Sequence, residues 1–447
     1  MSRLSINRFR ISRFRIRWSL LLLLLAGCAR YPAPASSALT STPGESQALC
    51  LASVEGDTEI DRDLRHSQDR ARSMPSHGDR WVASGRGWVR KARWSADPGF
   101  YLNVEGCAAQ ALQAEPGYVP AMELRSLVLM NNHQFESARE LAEQILQRSP
   151  DSAVADGTLS DASLELGRYQ QAAQAAQAQM NAQPGMAALS RAAYLNWLKG
   201  DIRSAKLFIR DALLDRNAAD PEAAAWTFVE AGMMYWQQGD YQGADAIFSE
   251  ALRWVPNYPA ALVGRGRVAL AQGKASDAIN SFAAAQRQRP LVETAWLLGD
   301  AYTLAHDNEH ARQAYEDAER LGRRGDRFTL ALFLASKHRD ADRALGLIET
   351  ERSTRGGIYV DDAYAWALYR AGRFDEASKA SAQALRLGTR DARLLFHAGA
   401  IALANHDPAQ GRKLIGEAMA LNPGFDMSGA AEARQMLAST SQLADRN

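Results

Sequence analysis

Small residues recur at a nearly constant interval through most of this chain, and this register limits the possible folds more than any other feature. They stand shortly after turn-forming residues, at positions 138, 172, 205, 244, 278, 311, 344, 377 and 411. The steps between them are 34, 33, 39, 34, 33, 33, 33 and 34 residues. Ala, Leu, Gln, Glu and Arg dominate the intervening segments, and their apolar residues recur at three- and four-residue spacing, which predicts helices. A repeated pair of helices predicts a solenoid, in which each unit packs on its neighbours.

The clearest unit spans residues 225–258. It contains Phe228, Gly232, Tyr235, Gly239, Ala244, Phe248, Ala251 and Pro256. This pattern resembles the tetratricopeptide repeat, a helix–turn–helix unit of 34 residues, with Phe228 at the usual Trp position. The resemblance covers roughly residues 85–425. It implies an all-α, right-handed superhelical solenoid of about ten repeats.

The motif positions have physical roles within each unit. Gly232, Gly266 and Gly299 are predicted to let the two helices of a unit approach closely. The bulky Phe248 and Phe282 are predicted to fill the space between repeats. The step of 39 residues places an insertion at residues 216–221, which we expect to be a longer loop.

The rest of the chain divides around this array. Residues 1–27 are predicted to be a signal peptide, and residues 28–80 a flexible tether followed by a weakly structured segment with at most one short helix. The array is assigned to residues 81–425. Residues 426–447 are assigned to a capping helix and tail.

The N-terminus has the pattern of an export signal. Six arginines precede the apolar run Leu20–Leu25, and residues 25–28 read Leu-Ala-Gly-Cys. These four residues resemble the bacterial lipobox, which implies that Cys28 is acylated and anchors the protein in a membrane. Ala29 is not the Asp that retains such proteins at the inner membrane in enterobacteria. The resemblance therefore implies a lipoprotein of the cell envelope, at the outer membrane and facing the periplasm.

Charge argues against nucleic acid as a partner. The whole chain has a net charge of +1, but residues 28–447 contain 46 basic and 51 acidic residues. A mildly acidic protein lacks the basic surface that nucleic-acid binding needs.

Two further cysteines, Cys50 and Cys107, lie beyond the lipobox. An oxidising compartment permits a disulfide between them. We expect them instead to be unpaired, because one pair is not a disulfide framework.

No catalytic or cofactor-binding motif is recognisable. HExxH, CxxC, GxSxG, GxGxxG and the P-loop pattern are all missing from the sequence. His306 and His310 share one helix face at i, i+4, but a metal site needs further ligands, and solvated turn residues are expected there. The sequence therefore predicts no enzyme activity, no cofactor and no metal.

Aromatic residues are instead the candidate binding residues. In the family that the sequence resembles, the first helix of each unit lines a concave groove. The positions that would face this groove are Tyr194, Trp197, Trp226, Met233, Trp236, Trp296, Phe333, Trp366, Tyr369 and Phe396. Such a strip is typical of surfaces that bind apolar peptide segments or sugar rings. Packing of these aromatics between adjacent helices remains the alternative.

These observations predict a membrane-anchored scaffold or adaptor that binds a protein partner of the cell envelope through its groove. Envelope assembly and polysaccharide export are the processes suggested by analogy. A glycan-binding module that uses the aromatic strip, and an enzyme with an unrecognised site, remain alternatives.

Overall fold

The computed structural model describes residues 42–444, with side chains up to residue 439. The predicted signal peptide, Cys28 and the start of the tether lie outside the described residues. Within the described part there are helices and no strands. None of these helices combines the length and the apolar content that crossing a membrane requires.

The helices follow one another with short connections. Their bounds are α1 (Pro43–Cys50), α2 (Glu59–Ser73), α3 (Gly78–Trp94), α4 (Tyr101–Ala114), α5 (Val119–Asn131), α6 (Phe135–Arg148), α7 (Ala153–Glu165), α8 (Tyr169–Ala182), α9 (Met186–Leu198), α10 (Ile202–Leu214), α11 (Pro221–Trp236) and α12 (Tyr241–Trp254). They continue as α13 (Pro259–Ala271), α14 (Ala275–Gln288), α15 (Val292–Leu304), α16 (Asn308–Gly322), α17 (Arg327–Ser336), α18 (Ala341–Arg352), α19 (Ile358–Arg370), α20 (Phe374–Ala384), α21 (Ala392–Ala404), α22 (Pro408–Leu421) and α23 (Met427–Ala444). A short 3₁₀ helix, Pro98–Phe100, lies between α3 and α4.

Consecutive helices pack in pairs. In the described part of the chain, α3 to α22 form ten helix–turn–helix units, each packed on the next. The all-α solenoid and its number of units are thus confirmed.

Two residues at each turn explain how one helix ends and the next begins. The first has a positive φ, as at Gly200 and Gly239, where the lack of a Cβ allows the left-handed conformation. The second is often an aspartate, and the carboxylates of Asp201 and Asp240 accept hydrogen bonds from the first turn of the next helix.

The small residues of the motif act as predicted. A Cβ added to Gly232 would lie 2.5 Å from the Phe248 ring, and one added to Gly264 of the next unit would lie 2.4 Å from it. Phe248 is fully buried between the two glycines. The bulky residue of one unit therefore fixes its spacing from the following unit.

The segment before the array differs from the prediction. Residues 42–77 contain two helices, and Cys50 and Leu64 belong to a buried cluster with Trp81 and Trp88 of α3. The prediction of at most one short helix before residue 80 was wrong, because the buried face of α2 alternates the apolar Leu64 and Ala71 with the polar Asp61 and Gln68, so the sequence shows no apolar stripe there.

Cys50 and Cys107 form a disulfide that joins α1 to α4. The expectation of unpaired cysteines was wrong. A single bond is useful here because α1 is short, with only eight residues to pack against the array.

Candidate binding cavity

The solenoid winds back on itself, so that turns of the superhelix touch. The Arg355 guanidinium lies 2.6 Å from the Glu165 carboxylate, 190 residues away in sequence. The backbone N–H of Gly356 donates to the carbonyl of Glu165, and that of Ile358 donates to the Tyr169 hydroxyl at 2.7 Å. These contacts fasten the loop before α19 to the turn between α7 and α8.

Two further contacts repeat this arrangement along the seam. The Thr389 hydroxyl donates to the carbonyl of Leu198. The Asn422 side chain donates to the carbonyl of Trp236 at 2.8 Å and accepts from the Tyr241 hydroxyl at 2.6 Å. We call these three contact regions the inter-turn seam. They leave a partly closed space between the turns where an open groove was expected.

That space is a cavity of about 470 Å³, within the usual size range of ligand sites. Its wall comes mainly from the first helices of several units, including α9, α11, α13 and α15, with α3 at one side and α17 and α21 at another. Arg327 at the start of α17 lines the cavity and is exposed, so the cavity reaches solvent there.

The structure divides the ten predicted groove residues into two groups. Six line the cavity together: Tyr194, Trp197, Trp226, Met233, Trp236 and Trp296. The other four, Phe333, Trp366, Tyr369 and Phe396, do not line it. The ten residues therefore do not form the single exposed strip that the sequence suggested. Six form an aromatic wall of the cavity, and four pack in the C-terminal core.

The four residues that do not line the cavity belong to the C-terminal core. Trp366 is stacked on His397 with ring centroids 3.9 Å apart, and the Arg370 guanidinium lies 4.1 Å from the Trp366 ring. His397 Nδ1 is 2.9 Å from the buried Asp362 carboxylate. These contacts against the Trp366 ring account for its burial.

Charged residues also face the cavity. Burial raises the pKa of Glu230 to about 8, so this carboxyl is mainly protonated at neutral pH. Burial raises the pKa of Asp326 to about 6, and it also raises that of Glu222, although Arg93 and Tyr258 oppose that effect. Arginine side chains also line the cavity.

The sequence reasoning missed these charged residues. Glu230 gave a usable signal, since it is the only acid within the apolar run from Ala223 to Trp236. Arg93 and Arg289 gave none, because they belong to the first and the sixth unit of the array and come near each other only through the winding of the superhelix.

The two histidines considered as metal ligands have local roles. His306 occupies a left-handed turn position, with φ of 59°. The carboxylate of Asp307 lies 2.7 Å from His310 Nδ1. Among the described residues, no group of three or more His, Cys, Asp or Glu side chains is placed to hold a metal ion.

Fold and cavity together define a helical-repeat protein with a solvent-accessible cavity between its superhelical turns. The family model for the tetratricopeptide repeat matches residues 129–194 and 235–298, which supports the family suggested by the sequence. The search of curated proteins gave no match.

Several solved structures are similar over much of the chain. The human IFIT1 dimer with PPP-AAAA shares 12% identity, covers 84% of this chain and 93% of its own, and has a TM-score of 0.47. Yeast Tom70 shares 14% identity over 87% of this chain and 97% of its own, with a TM-score of 0.36. Pseudomonas aeruginosa PilF shares 15% identity, covers 45% of this chain and 91% of its own, and has a TM-score of 0.39. At these values the likenesses indicate nothing about a shared ligand or partner.

Proposed function

We propose that the protein is a lipid-anchored scaffold of the bacterial cell envelope that binds a protein partner and does not catalyse a reaction. The repeat fold supports this, because stacked helix pairs present long surfaces to partners. The Leu-Ala-Gly-Cys sequence at residues 25–28 supports the anchor. A role at the outer membrane, in envelope assembly or polysaccharide export, belongs to the same proposal.

The observation that carries the partner site is an apolar stripe on α10. Leu214 is 73% exposed and Leu207 46%, the largest exposures of any large hydrophobic residue in the described part of the chain. The two lie seven residues apart, which places them on one face of the helix. The exposed Arg203 and Arg210 flank them on the same face.

This stripe fits the apolar face of a partner helix whose flanking residues are acidic. The seam favours a site on the outer surface for a protein partner. Because the superhelical turns touch, an extended partner chain cannot lie along the groove that the sequence predicted from Tyr194 to Phe396. The carboxylate of Asp211 is 2.8 Å from Arg210, so Arg203 is the more available of the two charges.

Site-specific photocrosslinking in cells tests the partner site. A photoreactive residue at Leu214 in the full-length lipoprotein is expected to give a discrete crosslinked protein, and Leu207→Asp should reduce the yield at least about tenfold. The same substitution at Leu102, a leucine of similar exposure on α4, is the matched control. Equal crosslinking in both variants, or none from Leu214, would overturn the proposed site.

Labelled palmitate tests the anchor. Cys28→Ser should abolish incorporation and release the protein from sedimented membranes, while Cys50→Ala should retain both. Incorporation that persists in Cys28→Ser would rule out acylation at this position.

A further inference from the structure

Glu230 on α11 is an unpaired carboxyl on the cavity wall. It lines the cavity and is half-buried, so its exposed surface faces the cavity. Within the described residues it forms no hydrogen bond and no salt bridge, whereas Glu293 pairs with Arg267 and Glu165 with Arg355. Buried polar groups in proteins are nearly always paired, so an unpaired carboxyl inside a cavity indicates a bound molecule.

The arginines of the cavity do not compensate for this carboxyl. Burial is the cause of its raised pKa, and no positive charge among the described residues opposes that effect. At Glu222 the corresponding rise in pKa is opposed by Arg93 and Arg289. The cavity wall as a whole carries eight carboxyl groups and six arginines. It therefore does not repel a cation, and Glu230 is available to pair with one.

The surfaces around Glu230 that open to the cavity are apolar. Trp226 and Met233 lie about one turn before and after it on α11, and both line the cavity and are half-buried. Trp226 Nε1 is enclosed by protein, so the ring presents carbon atoms rather than its N–H to the cavity. Glu230 contributes to the raised pKa of Tyr194 on α9, so these two side chains lie near each other. The carboxyl is thus surrounded by aromatic rings and a thioether.

Another part of the wall shows how this chain holds a cation between a ring and a carboxylate. The Arg267 guanidinium lies 5.2 Å from the centre of the Trp236 ring and pairs with the Glu293 carboxylate. Trp226 and Glu230 offer the same two groups, but no Lys or Arg charge of the described residues lies over the Trp226 ring. An aromatic ring and a carboxylate are the two groups that attract an ammonium ion most strongly in a desolvated site.

We propose that the cavity binds a small organic cation, an ammonium group attached to an alkyl or aryl body, with the ammonium beside Glu230. The body of the ligand lies against Trp226, Tyr194 and Met233, in a cavity of about 470 Å³. A cation favours the ionised carboxyl, so Glu230 releases its proton to solvent when the ligand binds. Because the inter-turn seam closes the path of an extended chain, a free small molecule fits this site and a lysine of a partner protein does not.

This site goes beyond the scaffold function and lies outside the stripe on α10. Calorimetric titration of the purified protein at pH 9, where Glu230 is ionised, tests it with phenylpropyl-trimethylammonium as the probe. This cation should bind, while phenylpropanol and phenylpropionate, which share its body but not its charge, should bind at least about tenfold more weakly.

Glu230→Gln keeps the shape of the side chain and removes its charge. It should lower the affinity for the cation about tenfold or more and leave the affinity for phenylpropanol unchanged. Glu250→Gln, on α12 and outside the cavity, is the matched control and should change neither affinity.

Trp226→Leu tests the ring. It keeps an apolar side chain and should lower the preference for the cation over the alcohol about threefold or more. Trp254→Leu, outside the cavity, should leave that preference unchanged. No binding of the cation, equal affinity for the alcohol, or cation binding that persists in Glu230→Gln would overturn the proposal. None of these results would affect crosslinking from Leu214, so the two proposals fail separately.

Discussion

At the scale of single residues, turn positions show how a repeat tolerates different side chains. Glycine is the residue with positive φ at the turns of five of the ten units, whereas His133, His306, His338 and His406 take the same place in four others, with φ of 53–60°. Histidine is one of the few residues with a side chain that adopts this conformation with modest strain. His306, one of the two histidines considered as metal ligands, thus takes the place of a glycine.

Gly273 isolates the backbone contribution at such a turn. Its φ is +74°, and a Cβ there would meet no atom within 4 Å. Gly273→Ala should therefore lower the free energy of unfolding by about 1 kcal/mol through conformational strain alone. Gly346→Ala, in α18 and equally uncrowded, should instead raise it by up to about 1 kcal/mol, because alanine favours helix. Thermal or urea unfolding measures both, and shifts of the same sign would refute this account.

Glu230 predicts a dependence on pH. Its pKa is raised to about 8 in the fold from an ordinary 4.5, so the folded state holds the proton more tightly than the unfolded chain. Stability should consequently fall as pH rises from about 4.5 to 8. Glu230→Gln should remove this loss and stabilise the protein at pH 9 by up to about 2 kcal/mol. This is less than the free energy equivalent to the whole pKa shift, because the side chain reaches the solvent-accessible cavity.

Unfolding measured at pH 4 and pH 9 checks the effect. The difference between Glu230→Gln and the wild type should be small at pH 4. Glu250→Gln, with a side chain 44% exposed, is the control and should change little at either pH. A Gln variant that is no more stable at pH 9 would show that Glu230 does not carry a buried proton.

At the scale of helices, the sequence predicted what depends on the repeat and missed what depends on contacts between distant units. The register of small residues located the paired helices, because each Gly232–Phe248 contact recurs locally. The two N-terminal helices were missed, since Leu64 and Trp88 meet only in the fold. The aromatic positions were found, but their division between cavity and core depends on how tightly the superhelix winds.

The Cys50–Cys107 bond should matter most for α1. The Cys50 carbonyl also accepts hydrogen bonds from Trp88 at 2.8 Å and Gln68 at 3.0 Å, and these do not need the disulfide. Cys50→Ala with Cys107→Ala should destabilise the N-terminal segment by roughly 2–4 kcal/mol. Limited proteolysis should then cut between residues 51 and 58 and spare α5 to α22. Unchanged resistance there would show that packing alone holds α1.

At the scale of the whole molecule, the inter-turn seam decides whether there is a cavity. A Cβ on Gly200 would lie 2.4 Å from the carbonyl oxygen of Gly388 across the seam. Gly200→Ala should therefore part the turns and increase the radius of gyration in small-angle scattering.

Gly273→Ala is the matched control for this variant. It has nearly the same φ but no neighbour across a seam, so it separates backbone strain from the steric clash. Gly200→Ala should be more destabilising by about 1–3 kcal/mol. Equal scattering curves and equal stability for the two variants would mean that the seam does not hold the turns together.

The seam also limits how this protein changes during evolution. Solenoids ordinarily lengthen or shorten by duplication or deletion of whole units, because each unit contacts only its neighbours. Here Arg355 must meet Glu165 across 190 residues, and Asn422 must meet Trp236. Gain or loss of one unit between those partners would offset the whole seam by a repeat. Homologues that keep the cavity are therefore expected to vary in unit number only at the two ends of the array.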